Sequence, residues 1–262
     1  MPASLTFNLP DTVYVTGASS GLGTAICQRL VDSGVDTIGI DIGTAPAIKS
    51  KRYEHLQGDV TGDALWTEVG KHVETKQSAS LGLVTSAAIL EVGTILEFDA
   101  TSIGRTMAVN VTGTALAYKA LLPHMLKLGG GVIVSIGSID ATFAEQQLSV
   151  YAASKGAVRQ LARTVALDHA RQGIRINLLS PGPMMAGLFE RHMKSAKDPE
   201  KFVATRAARQ PSGKITDPAD IARSALFLLS DGSAAINAAD VIADGGMTAS
   251  FDFRTGAEGA SV

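Results

Sequence analysis

The chain has 262 residues, of which 45% are apolar and 18% charged, and a net charge of −2. Length allows one domain or two, the apolar share allows a large core, and the near-neutral balance gives no electrostatic footprint for DNA or RNA. Cys27 is the single cysteine and the five histidines (His55, His72, His124, His169, His192) lack ligand spacing, which excludes a disulfide framework and leaves no metal site to expect.

Thr12–Thr16 is a β-branched and aromatic run that ends at glycines, and Leu22–Ser33 reads as a helix stopped by Gly34. Asp36–Ile40 and Tyr53–Leu56 are strand-like, and Asp63–Lys76 is helical, with Leu65, Trp66 and Val69 at helical spacing. Leu81–Thr85 is a strand, Thr101–Leu128 one long helix that ends before three glycines, and Val132–Ile136 a buried strand. Ser149–Gln172 is a second long helix and Ile174–Leu179 a strand halted by Pro181-Gly182. Asp217–Ser230 is a helix, and Ala239–Ala243 is a final strand before Asp244-Gly245-Gly246. Strands that are apolar throughout and alternate with helices predict a parallel sheet covered on both faces. Right-handed crossovers make it a doubly wound α/β sheet of about seven strands, in one domain spanning 1–262. The charged, helical stretch at about 184–212 interrupts the alternation and is expected to cover the site as a lid. A mobile tail is expected at about 255–262.

The start, MPASLTFNLPDTVYV, lacks a basic region and a long apolar region, so no signal peptide is expected. No apolar stretch reaches spanning length. A cytoplasmic protein without a membrane partner is the expectation.

The run Thr16-Gly17-Ala18-Ser19-Ser20-Gly21-Leu22-Gly23 joins the first strand to the first helix. Glycines at 17, 21 and 23 permit a tight turn and close approach of a ligand, and the helix start offers free N–H groups to a pyrophosphate. Glycine spacing alone also fits a turn that binds nothing. Asp41 follows the second strand 18 residues after Gly23, the offset at which an acid meets the ribose 2′-hydroxyl of NAD and repels the phosphate of NADP. No Arg or Lys at 18–20 or 42–44 offsets its charge. Asp59 and Val60, read as the end of the third strand, are candidates for adenine contact; a plain turn aspartate is the alternative.

Tyr151 and Lys155 stand four residues apart, on one helix face, and Ser138 lies thirteen residues before the tyrosine at a strand end. A phenol is a poor base at neutral pH, and a nearby cation lowers its pKa. So tuned, it exchanges a proton with an alcohol or ketone.

Together these residues resemble the short-chain dehydrogenase/reductase family in its single-domain branch, from about Thr12 to Gly246. The motifs are TGASSGLG, Asn110 in MAVNVTG, Ser138, YAASK, Asn177 in RINLLSPG, and the closing DGG. The resemblance implies a Rossmann-type fold, NAD as cofactor and interconversion of a secondary alcohol and a ketone. It implies Tyr151 as acid/base, Lys155 as the group that lowers its pKa and holds the nicotinamide ribose, and Ser138 as the holder of the substrate oxygen. Asn110 would kink a helix and hold a water in a proton relay. Ser86 and Ala87 would face the cofactor, and Pro181, Gly182 and Met184 would meet the carboxamide.

Three departures stand out. Thr85-Ser86-Ala87-Ala88 replaces Asn-Asn-Ala-Gly, Ala186 stands where threonine is frequent, and Pro183 removes a backbone donor.

The favoured substrate is a polyhydroxylated or acidic compound, with Asp140 and Gln147 as hydroxyl contacts, Met185 as an apolar cover, and Arg191 or Arg209 for a carboxylate. A hydrophobic cyclic alcohol, a 3-oxoacyl thioester and a non-catalytic NAD-binding scaffold are the alternatives. Small and apolar residues on more than one face of the two long helices predict a homotetramer.

Overall fold

The computed structural model describes residues 6–249, and the side chains of Arg191, His192 and Ser195 fall outside what it describes. The tail expected at 255–262 lies outside the described residues.

Seven strands form one sheet: β1 (Thr12–Thr16), β2 (Asp36–Asp41), β3 (Tyr53–Gln57), β4 (Leu81–Thr85), β5 (Gly131–Ile136), β6 (Ile174–Pro181) and β7 (Asp240–Ala243). Their order is β3-β2-β1-β4-β5-β6-β7, with every pairing parallel. The helices between them are α1 (Gly21–Asp32), α2 (Asp63–Lys76), α3 (Ala100–Met107), α4 (Gly113–Lys127), α5 (Ser149–His169), α6 (Gly187–Ser195), α7 (Pro199–Ala208) and α8 (Pro218–Leu229).

Because side chains alternate across a strand, each central strand feeds two cores. Tyr14, Leu83, Ile133 and Ile176 point into one, closed by Val69 of α2, Leu121 of α4 and Val158 of α5. Val13, Val15, Val84 and Val134 point into the other, closed by Ile26 and Leu30 of α1 and Ala225 of α8. This explains why the strands read as unbroken apolar runs. The strand order reverses between β1 and β4, and the carboxyl ends of strands flanking such a reversal are where open α/β sheets bind ligands.

Two expectations are corrected. The helix expected over Thr101–Leu128 is α3, then a π-helical turn at Ala108–Thr112, then α4. The wider turn lets Asn110 turn its amide away from the helix and onto the backbone of Ile89. Asp59 and Val60 lie beyond β3: the Asp59 carboxylate caps a turn by accepting from Thr61 N–H at 2.9 Å, and Val60 is buried against Gly113. The stretch read as one interruption at 184–212 contains α6 and α7, and Asp198 starts the second by accepting from Lys201 N–H at 2.9 Å ahead of Pro199.

Candidate active site

A cavity of about 710 Å³ opens at the carboxyl ends of the central strands. Ser138, just past β5, and Tyr151 and Lys155, in the first turns of α5, line it. Lys155 Nζ donates to the carbonyl of Ile136 at 2.8 Å and stands 5.8 Å from the centre of the Tyr151 ring. Ser138 Oγ accepts from Asp140 N–H at 3.1 Å and donates to Asp140 Oδ2 at 3.0 Å.

Asn110 is buried behind this group. Its Oδ1 accepts from Ile89 N–H at 2.8 Å, and its Nδ2 donates to the Ile89 carbonyl at 3.0 Å and to Ser154 Oγ at 2.9 Å. Ser154 Oγ in turn donates to the Tyr151 carbonyl at 2.6 Å. The π turn thus ties the loop after β4 to the helix that carries Tyr151.

Burial pushes the Tyr151 phenol well above its usual range; the Asp140 carboxylate adds to this and the Ser138 hydroxyl opposes it. Burial lowers the Lys155 ammonium to about 8, with Asp140 acting against that fall. The lowering of Tyr151 expected from Lys155 therefore does not appear in the protein alone. The ammonium is directed at the Ile136 carbonyl, and desolvation of the phenolate outweighs its field.

The other end of the cavity fits a dinucleotide. At Gly17, with φ +72, a Cβ would come within 2.7 Å of Ala87 N, and at Gly23 within 2.0 Å of the Gly17 carbonyl oxygen. Only glycine lets this turn fold so tightly against β4 and α1. Gly21 and Leu22 present the first turn of α1 to the cavity, where helix N–H groups lack an intrahelical acceptor. Asp41 Oδ2 accepts from Ser19 N–H at 3.0 Å and Oδ1 from Gly43 N–H at 2.8 Å, which fixes the carboxylate at the cavity wall.

Ser20, Asp59, Val60, Ser86, Ala87, Pro181, Gly182 and Met184 also line the cavity. Ser19 and Gly23 do not; the Ser19 hydroxyl donates to the Thr44 carbonyl at 2.7 Å, so both residues shape the turn. Of the positions that depart from the family pattern, Ala88, Pro183 and Ala186 are in the wall as well. Next to Ala186, Gly187 has φ +57, and a Cβ on Gly21 would lie 3.0 Å from its Cα. The first residue of α6 thus rests on the glycine turn.

A family model described as enoyl-(acyl carrier protein) reductase matches residues 17–248. The chain belongs to the short-chain dehydrogenase/reductase family. This dehydrogenase/reductase is 35% identical over 248 residues to 2-(S)-hydroxypropyl-CoM dehydrogenase 3 of Xanthobacter autotrophicus, covering 91% of this chain and 97% of the relative. It is 36% identical over 242 residues to galactitol 2-dehydrogenase (L-tagatose-forming) of Cereibacter sphaeroides, covering 89% and 93%. The structure of Thermoplasma acidophilum aldohexose dehydrogenase superposes with a TM-score of 0.87 at 29% identity, over 95% of this chain and 98% of that one. This short-chain dehydrogenase/reductase is accordingly an oxidoreductase of secondary alcohols and ketones, in a family that typically uses NAD(P).

On the substrate side of this dehydrogenase/reductase, the residues in place differ from those expected. Asp140 lines the cavity, but Gln147 and Met185 are exposed outside its lining, as is Arg209. The Gln147 carbonyl instead accepts from Gly93 N–H at 2.9 Å. The side chain of Arg191 lies outside the described residues. The arginine that reaches the cavity from α7 is Arg206, whose guanidinium donates to Glu145 Oε1 at 2.6 Å and lies 5.1 Å from the Phe202 ring centre. Neither Arg206 nor Glu145 was singled out by sequence; the available signal is the one-turn spacing of Phe202 and Arg206. Leu188, Phe189 and Phe202 complete an apolar wall.

Proposed function

We propose that the chain is an NAD-dependent dehydrogenase of a neutral, polyhydroxylated secondary alcohol. The observation that carries the reading is the convergence of Ser138, Tyr151 and Lys155 on the same cavity as the glycine turn and Asp41. A nicotinamide cofactor, when bound, supplies and accepts the hydride. Gly17, Ser20, Gly21 and Leu22 would hold its pyrophosphate side, Asp41 its adenosine ribose, and Pro181, Gly182 and Met184 its nicotinamide side. Tyr151 takes the proton of the substrate hydroxyl as the carbonyl forms, and returns it in the reverse direction. Ser138 fixes the reacting oxygen. Lys155, charged at neutral pH, favours the phenolate once the site is filled, and Asn110 holds the Ile89 backbone and Ser154 that frame the proton path.

NAD is preferred over NADP because a fixed carboxylate at Asp41 opposes a phosphate there. A cytoplasmic setting follows, where a nicotinamide pool is at hand. The segment from α6 to α7 acts as the lid of a single-domain enzyme. An acidic substrate is disfavoured because the cations in the cavity wall are engaged: Arg206 by Glu145, Lys155 by the Ile136 carbonyl, and Arg105 by Glu91 at 4.0 Å. A hydrophobic cyclic alcohol is the second reading, on the wall of Leu188, Phe189 and Phe202.

The test is NAD reduction over a panel of sugars, sugar acids, hydroxy acids and cyclic alcohols. Turnover of neutral polyols above their acids is expected. Absence of turnover across the panel, or equal use of NADPH on 3-oxoacyl thioesters, would defeat the reading.

We propose a homotetramer as well. Leu116 and Ala120 on α4, and Leu161 and Val165 on α5, stay partly exposed on one side of the sheet, and a second copy would cover them. Light scattering at micromolar concentration is expected to give four times the chain mass, and a monomer mass would refute it.

A further inference from the structure

We infer that Asp140 selects the substrate: its carboxylate receives a second hydroxyl, on the carbon next to the one that reacts, so vicinal diols are taken in preference to monohydric alcohols. This deepens the reading above and rests on it. Asp140 sits two residues after Ser138, in the 3-10 turn Ile139–Ala141 that leaves β5, and faces the cavity. Its Oδ2 accepts from Ser138 Oγ at 3.0 Å, and its N–H donates back to that oxygen at 3.1 Å. Among the described residues, its Oδ1 accepts no hydrogen bond.

Burial already holds this carboxyl above its ordinary range. Excluding water from Oδ1 without supplying a donor would cost more, since an unpaired buried charge loses its full solvation. A monohydric alcohol seated on Ser138 and Tyr151 does that. A vicinal diol does not: hydroxyls on adjacent carbons are separated by about the length of one hydrogen bond, and Ser138 and Asp140 are themselves one hydrogen bond apart. The reacting oxygen then lies on Ser138, and its neighbour donates to Asp140.

The surrounding charges agree. From α7, Arg206 is taken up by Glu145, which belongs to the loop before α5, and from α5 the Lys155 ammonium is turned to Ile136. Both cations act on Asp140 through space, but their hydrogen bonds go to Glu145 and Ile136, so the group that suits its free oxygen is a neutral donor. A substrate carboxylate there would meet like charge.

The test compares kcat/KM for cyclohexane-1,2-diol with cyclohexanol, and for 2,3-butanediol with 2-butanol, using NAD. The unmodified enzyme is expected to favour each diol by about tenfold or more, equivalent to about 1.4 kcal/mol. Asp140→Ala is expected to bring the ratio to within about twofold, with diol turnover falling more than monohydric turnover. Asp140→Asn, which retains an acceptor oxygen, should fall between. The same four alcohols are titrated against the NADH-loaded protein by cofactor fluorescence, which needs no turnover, and thermal melting checks that each variant folds. Equal affinity and equal kcat/KM for diol and monohydric alcohol in the unmodified protein overturns the inference. So does a folded Asp140→Ala protein that loses both substrates alike. Diol-selective binding without turnover would support Asp140 and defeat the proposed reaction instead.

Discussion

Tyr151→Phe is expected to lower kcat by about a thousandfold, within the range that a positioned general acid or base contributes, and to leave NAD affinity nearly unchanged. The change removes one oxygen and keeps the ring that packs in the first turns of α5. Tyr151 is buried and lines the cavity beside Ser138, so its phenol has no replacement among the neighbouring groups: Ser138 is bonded to Asp140, and Lys155 to the Ile136 carbonyl. Lys155→Ala should behave differently. It removes the cation that favours the phenolate and a contact proposed for the nicotinamide ribose, so kcat falls and the Kd for NAD rises together. Steady-state rates with fluorescence titration of cofactor separate the two cases. A Tyr151→Phe protein that retains a tenth or more of the original kcat, as a rough threshold against the expected loss, would remove the phenol from the chemistry.

Asp41→Ala should erase the preference for NAD over NADP. A carboxylate and a phosphate at about 4 Å repel by roughly 4 kcal/mol at an effective dielectric of about 20. Screening in an open cavity reduces this, so a preference of about a hundredfold in kcat/KM is the expected starting point, equivalent to about 2.7 kcal/mol. The substitution also frees the N–H groups of Ser19 and Gly43, which now donate to the two carboxylate oxygens. Some loss of NAD affinity should follow from a looser turn. Asp41→Asn keeps an acceptor and removes the charge, so it separates the two effects: it should admit NADP with a smaller penalty toward NAD. Equal kcat/KM for both cofactors in the unmodified protein would take Asp41 out of cofactor choice.

How much of this was legible before the fold was known follows from the range of each interaction. The glycine turn, Asp41, and the spacing of Ser138, Tyr151 and Lys155 are local chemistry placed by strand and helix ends, and the sheet set them around one cavity as the sequence implied. The π turn at Ala108–Thr112 was not legible in the apolar spacing, which continues smoothly through it; the resemblance implied a kink at Asn110, and the bonds of Asn110 to Ile89, 21 residues away, account for it. The sequence offered Arg191 or Arg209 toward the substrate, and the arginine of α7 that lines the cavity is Arg206. Which face of α7 turns inward depends on Phe202 packing near Phe189 and on Glu145, a partner 61 residues distant. The upward shift of Tyr151 was hidden for the same reason, since burial is a property of the assembled core and no spacing of Tyr and Lys reports it.

The contact of Gly187 on Gly21 joins the two halves of the cavity through backbone alone. Gly187 opens the helix proposed as the start of the lid, and Gly21 opens the helix proposed to receive the pyrophosphate. A side chain on Gly21 would press on the Cα of Gly187. Any coupling that passes through this contact between the two ligands is reciprocal. Whatever factor an occupied turn adds to the grip of the lid on an alcohol, the alcohol adds to the grip of the turn on its cofactor. Isotherms for either ligand, taken with and without the other, must move by the same ratio.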